Sequence, residues 1–336
     1  MPQNKKKNLL NLIILLLLLA LVAMLSLLLG AQKLSLRDIF GKGTSKYAPV
    51  IFYKIRCPRT ILSLVAGILL AGSGAAFQLY FRNSLAEPGI MGISSGATLG
   101  AVIAASISSA RILNGTLSLV SFGAFAGALI SGTLIITLSA KKAGPQATTA
   151  LLLSGTALGT LYSAFSSLIL TVKQNELKTM YVWMMGSFNG RGWSEVRFIA
   201  VPALLAILLL LFCSRDLDLL NTGELTASSL GLNIKKTRTL VLISGSLACS
   251  AAVCAGGTIG FAGLIAPHIA RRLFGSSSKT LIPTSMLTGA ILLTASDTLC
   301  RTVIAPNEIP IGIILTLIGA PFFISLIFSK QGLKNG

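Results

Sequence analysis

The chain has 336 residues, of which 53% are hydrophobic and only 11% charged. Soluble domains are about one quarter charged, so a mean hydropathy of +0.82 excludes a sizeable soluble domain and puts most of the chain in lipid. The 28 Lys and Arg against 9 Asp and Glu, a net charge of +19, lie between apolar runs and outside any nucleic-acid-binding motif. That pattern points to lipid headgroups and acidic protein partners, not to nucleic acid.

At about 20 residues per crossing plus loops, the length suits roughly eight to ten transmembrane helices. A β-barrel would show short alternating segments, whereas these runs are continuously apolar. The expectation is one all-α polytopic membrane domain over residues 1–336. The five cysteines show no metal-ligand spacing, and one histidine cannot build a metal site, so neither metal nor cofactor is expected.

Lys5, Lys6 and Lys7 precede an apolar run from Leu9 to Leu29. The order is that of a signal peptide, but the apolar part is too long and no cleavage site follows, so it reads as a first span entering from the cytoplasm. Residues 31–59 then form an external basic loop with seven Lys and Arg against Asp38 alone. This runs against the positive-inside tendency; an acidic docking partner would explain it, and so would plain solvation of a loop. The second span, Thr60–Phe81, is rich in Gly and Ala, which let helices approach closely. After it, Pro88 and Gly89 break the helix in a stretch expected at the packed cytoplasmic edge of a translocation path.

Spans three to five are read at Ala97–Ser109, Leu117–Ala140 and 151–172, with Gly123/Gly127 and Gly155/Gly159 as packing faces. Residues 173–193 read as an external amphipathic piece whose Trp183 and Trp193 suit the interfacial belt. The sixth span, Val196–Cys213, leads into residues 214–238, a polar interruption holding Asp216, Asp218 and Glu224. There Asn221 reads as an N-cap, Glu224 as its capping-box partner and Gly231 as a left-handed helix end. Such a helix, tied at both ends to spans, can carry motion from a soluble partner into the membrane, or it can be a plain connector. The ninth span, Leu281–Cys300, contains Asp297, the one acid read inside a span. Its i,i+4 partner is Arg301.

Several stretches together resemble the FecCD-type permeases, the membrane subunits of bacterial ABC importers for ferric siderophores, haem and vitamin B12. They are Arg56-Cys-Pro-Arg59, the run Arg82-Asn-Ser-Leu-Ala-Glu-Pro-Gly89 with Gly92–Ala97, and Leu219–Glu224 with Ser229–Asn233. To these add Gly256–Arg272, containing Gly260, Pro267, His268 and Arg271, then Pro306–Gly312 and Gly319–Phe323. The resemblance covers nearly everything after residue 30 and implies ten spans. It implies two ATPase subunits, an external substrate-binding protein, and a second permease copy or paralogue, all in a bacterial cell membrane. By matching position, Arg56, Arg59 and Arg301 would dock the binding protein. Asn221, Gly223, Glu224, Leu225, Leu230 and Gly231 would couple to the ATPase. Thr148 and Thr149 match a cytoplasmic gate, though two hydroxyls can equally cap the helix that follows. Pro88, Gly89, Gly260, Pro267, His268 and Arg271 form the structural motif, with His268 read as a structural histidine, a pH sensor or an ATPase contact. A ferric siderophore is the expected cargo, with haem or vitamin B12 as alternatives.

Two other function classes are weighed against this. An ion-coupled secondary transporter would need ionisable groups near the bilayer midplane, and the sequence offers only Asp297. A membrane enzyme would need a catalytic motif. No HExxH, nucleophile elbow or Walker A occurs; Gly41-Lys-Gly-Thr44 lacks the required glycine spacing. The energy is expected from separate ATPase subunits.

Overall fold

Away from water, an apolar chain must satisfy its backbone within itself, and a helix does so segment by segment. The computed structural model describes residues 2–32, 34, 47–107, 119–139, 145–174 and 177–328, and among these the regular structure is helical throughout. In chain order the elements are α1 (Pro2–Leu28), α2 (Cys57–Phe81), α3 (Ile93–Ile107), α4 (Leu119–Ser139), α5 (Pro145–Val172), α6 (Leu177–Met184) and α7 (Trp193–Phe212). Then follow α8 (Ser214–Leu220), α9 (Glu224–Ser229), α10 (Ile234–Gly256), α11 (Ala262–Phe274), α12 (Ser278–Cys300) and α13 (Ile311–Phe328). Ten of these are long, as the sequence led one to expect. Six helical stretches are long and apolar enough by themselves to cross a membrane.

The others fall short for separate reasons. α12 is diluted by hydroxyls, but several of these bond within their own helix: Thr288 Oγ1 donates to the Thr284 carbonyl at 2.8 Å, and Thr298 to Thr294 at 2.8 Å. That bonding lets a Ser/Thr-rich helix lie in the core. α11 has 13 residues, about 20 Å at 1.5 Å per residue, which is less than the ~30 Å hydrocarbon core. It starts inside the bundle, where Gly263 packs beside Leu70 and Gly74, near the middle of α2. A Cβ on Gly74 would collide with the Gly263 carbonyl.

α2 and α12 run antiparallel at the centre, joined in the second turn of α2 by Ser63 Oγ and Thr294 Oγ1 at 3.1 Å. Their small residues meet directly, and a Cβ on Gly67 would strike the Gly289 backbone. The glycine pairs read as packing faces behave as such: Gly123 and Gly127 of α4 close on Gly100 and Gly96 of α3, and Gly155 closes on Met91. α1 stands at the margin, with only 11% of its span buried.

The loop expected over residues 31–59 is shorter than that. Ala48–Arg56 is already helical, though irregular, and leads straight into α2. Lys33, Arg37, Asp38, Lys42 and Lys46 lie outside the described residues.

Candidate functional site

Three regions of the bundle carry the residues singled out by sequence. One end, where α1 and α12 finish and α2 starts, holds the arginines. Arg59 sets its Nε 3.0 Å from Asp297 Oδ2 and its Nη2 2.8 Å from Oδ1, while Nη1 donates to Glu308 Oε1 at 2.9 Å. Arg301 donates from Nη2 to the Ser26 carbonyl and to Ser26 Oγ, the latter at 2.8 Å. Arg56 donates from Nη1 to the Leu27 and Leu28 carbonyls at 3.0 and 2.6 Å, and from Nη2 to the Gln32 carbonyl. The last carbonyls of a helix lack partners and carry its partial negative charge. Two guanidiniums therefore cap α1 and hold this otherwise marginal helix to the bundle.

All three arginines are buried, at 4–6% exposure. The basic face that the sequence led one to expect in solvent is turned inward here. Asp297 is shared: its principal partner is Arg59, and Arg301 Nε stands 3.5 Å away. Cys57 and Cys300, which adjoin these arginines, are free thiols.

In the middle of the bundle the half-length α11 opens a cavity of about 570 Å³. Its walls include Leu70, Met184, Met185, Ile259 and Leu317, with Pro88, Gly89 and Gly260 of the sequence motif on its surface. Glu87 also lines it, so Asp297 is not the only acid at depth. The segment Met185–Gly186 is wedged between α10 and α13, accepting from Gly312 N at 3.0 Å and Ile311 N at 2.9 Å.

Pro267 explains the rest of that motif. Proline has no N–H, so the carbonyl four residues earlier, that of Gly263, loses its helical donor. Gln78 of α2 supplies one, Nε2 to the Gly263 carbonyl at 3.1 Å, and Arg271 Nη2 steadies the Gln78 Oε1 at 3.3 Å. His268 packs its ring edge-on to Phe322 at 5.4 Å, and its Nε2 has no hydrogen bond among the described residues. Gln78 escaped the sequence reading, although Pro267 signalled that some donor must exist.

The opposite end holds residues 214–238 as two short helices. α9 starts two residues later than expected. Its N-cap is Gly223, at φ +117°, instead of Asn221, which closes α8, and Glu224 is therefore the first helical residue and not a capping-box partner. The positive φ at Gly223 lets the chain reverse directly after α8. The C-terminal expectation holds. Gly231 sits at φ +86°, and its N–H reaches the Ser228 carbonyl at 2.9 Å while Leu232 N reaches Ala227 at 3.0 Å, a Schellman closure.

α8 is pinned to three long helices: Asp216 accepts from Thr237 at 3.1 Å, Asp218 from Ser278 N at 2.6 Å, and the Leu220 carbonyl from Arg82. Asp218 thereby caps α12, a contact between residues 60 positions apart that no local pattern signals. On α9 and its end, Leu225 and Leu230 are 88% and 63% exposed.

Thr148 and Thr149 fall in the first turns of α5, which begins at Pro145, and not in a turn before it. That position removes the N-cap alternative. The Thr148 side chain lies outside the described residues, and Thr149 is exposed.

Comparisons with known proteins bear on the family and the fold. The sequence profile of the FecCD transport family matches residues 17–329. The chain is 37% identical over 311 residues to the hemin transport system permease protein HmuU of Yersinia pestis, covering 92% of each. It is 36% identical over 316 residues to the iron(3+)-hydroxamate import system permease protein FhuG of Bacillus subtilis, covering 91% of this chain and 93% of that one. To the cobalamin import system permease protein BtuC of Halobacterium salinarum it is 38% identical over 289 residues, 86% of this chain and 76% of the other. Among solved structures, an inward-facing putative metal-chelate type ABC transporter superposes with a TM-score of 0.81 at 32% identity, covering 94% and 97% of the two chains. The chain belongs to the FecCD transport family and is a multi-pass membrane permease of the ABC importer class.

Proposed function

We propose that this permease carries a ferric-siderophore-type chelate into the cytoplasm of a bacterial cell, as one of two copies or paralogues enclosing the path. Two separate ATPase subunits drive it, and an external substrate-binding protein delivers the cargo. The observation that carries the coupling part is α9: two apolar side chains, Leu225 on the six-residue helix and Leu230 at its C-cap, stand exposed at a polar end. Short amphipathic helices of this kind anchor in a partner's groove. The pins from α8 to α2, α10 and α12 make that helix a handle on the core. Nucleotide binding would act by favouring one state of the permease through differential contacts at this handle.

The cavity supports a bulky and weakly charged cargo. Among the described lining residues Glu87 is the one carboxylate and no Lys, Arg or His joins it, and methionine and aliphatic side chains supply adaptable apolar contact. Relatives named for hemin and for cobalamin keep those cargoes as the second reading. The ligand held by the partner binding protein decides between them. Thr148 and Thr149 remain the proposed cytoplasmic gate, and Arg56, Arg59 and Arg301 the proposed docking group for the binding protein.

The test is ATP hydrolysis by the permease reconstituted with the ATPase and binding protein encoded beside it. Leu225→Asp should leave assembly intact and abolish stimulation by loaded binding protein. Gly231→Val should do the same through misplacement of α9, because a branched residue is strained at that φ. Full stimulation in both variants would reduce residues 214–238 to a connector.

A further inference from the structure

The arginine end carries a network that its own residues leave incomplete. Among the described residues, Arg59 pairs with Asp297 and Glu308, Arg301 stands beside Asp297, and Arg56 donates to backbone carbonyls. Arg301 is 5% exposed, yet its Nε meets Asp297 Oδ2 only at 3.5 Å, and Glu308 Oε2 makes no hydrogen bond among the described residues. Buried polar groups are nearly always paired, so a loosely held donor and a spare acceptor in one cluster call for an explanation.

The two carboxylates differ. Asp297 is 1% exposed and grips the Nε–Nη2 edge of Arg59 with both oxygens. Glu308 is 26% exposed and holds Arg59 through Nη1 alone. It lies in the non-helical connection 301–310, beside the exposed Val303 and Ile304. Asp297 is thus built in, while Glu308 can swing outward without disturbing a helix. The exposed aliphatics around it are what a protein partner covers at an interface.

We infer that Glu308 is an internal stand-in for an acidic side chain of the docking protein: on docking, the partner's carboxylate takes Arg59 Nη1 and Glu308 turns out to solvent. This rests on the docking role proposed above and adds to it a built-in competitor. Exchanging one carboxylate for another leaves the number of ion pairs unchanged, so charge selects the partner without making its hold irreversible. Between docking events Glu308 keeps Nη1 of Arg59 hydrogen-bonded, beside the Asp297 pair on Nε and Nη2, and avoids the cost of a buried unsatisfied donor.

The experiment measures the dissociation constant of the neighbouring binding protein on the nanodisc-held permease–ATPase complex, at several salt concentrations. Glu308→Gln removes the competitor, and docking should tighten about fivefold, the value of a partly exposed pair. Its salt dependence should also steepen, because docking now forms one ion pair more than it breaks. Glu308→Asp withdraws the carboxylate by one methylene and should tighten docking to a lesser degree, which provides a second variant if the first does not reach the membrane. Unchanged or weaker docking with an unchanged salt slope would overturn the exchange. Failure of the wild-type complex to bind the protein at all would instead overturn the docking role itself.

Discussion

The two ends of the bundle solve opposite problems. At the arginine end, charge is buried and paired within the chain, with Arg59, Asp297 and Arg301 all at 6% exposure or less. At the α8–α9 end, polar groups serve as internal pins while leucine side chains stand in the open. A buried ionic cluster is costly to form but costlier to break, because removing one partner strands the others. An exposed leucine costs the free chain little and gains only when a partner covers it. One end is therefore held within the chain, and the other mounts an exposed apolar surface on internal pins.

Breaking the buried end should have the largest effect. Asp297→Ala leaves Arg59 with Glu308 alone and Arg301 with carbonyl and hydroxyl contacts only. The loss should be about 3–5 kcal/mol, read as a collapse of the thermal transition of the detergent-solubilised permease. A variant as stable as wild type would mean that the cluster is solvated.

A smaller effect is expected where α11 meets α2. Gln78→Ala leaves the Gly263 carbonyl without a donor, at a cost of about 1–3 kcal/mol. Pro267→Ala returns a helical N–H to that carbonyl, so Gln78→Ala should cost less in that background. The difference between the two measurements is the coupling. Equal costs in both backgrounds would show that Gln78 does not stand in for the missing proline donor.

The smallest effect belongs to the mount of α8. Asp218→Ala removes the cap of α12 for about 1 kcal/mol, and its signature is faster amide exchange at Ser278 with a nearly unchanged unfolding transition. Unaltered exchange there would mean that α8 rests on α12 without holding it.

Much of this was legible in the sequence because it depends on residues close along the chain. Continuous apolar runs marked most helices, glycine pairs at i,i+4 marked their contact faces, and Gly231 marked a left-handed helix end that the backbone adopts. The Asp297–Arg301 neighbourhood was visible for the same reason. Local signals misled where a second local solution was available. Asn221 and Glu224 form a plausible capping box, but the turn at Thr222–Gly223 lets α8 run to Leu220 and starts α9 at Glu224.

What only the tertiary structure decided are pairings between residues far apart in the chain. Arg59 finds Asp297 across 238 positions, and Gln78 finds Gly263 across 185. Whether an arginine at a helix start faces water or a carboxylate depends on which helix packs beside it, and periodicity carries no record of that neighbour. The sequence by itself determined that helices form, where glycine must sit and that Pro267 leaves a carbonyl in need. Packing chose the donor for that carbonyl, turned the basic end inward and brought Glu87 to the cavity, because desolvation makes each buried polar group seek whatever partner the neighbouring helix presents.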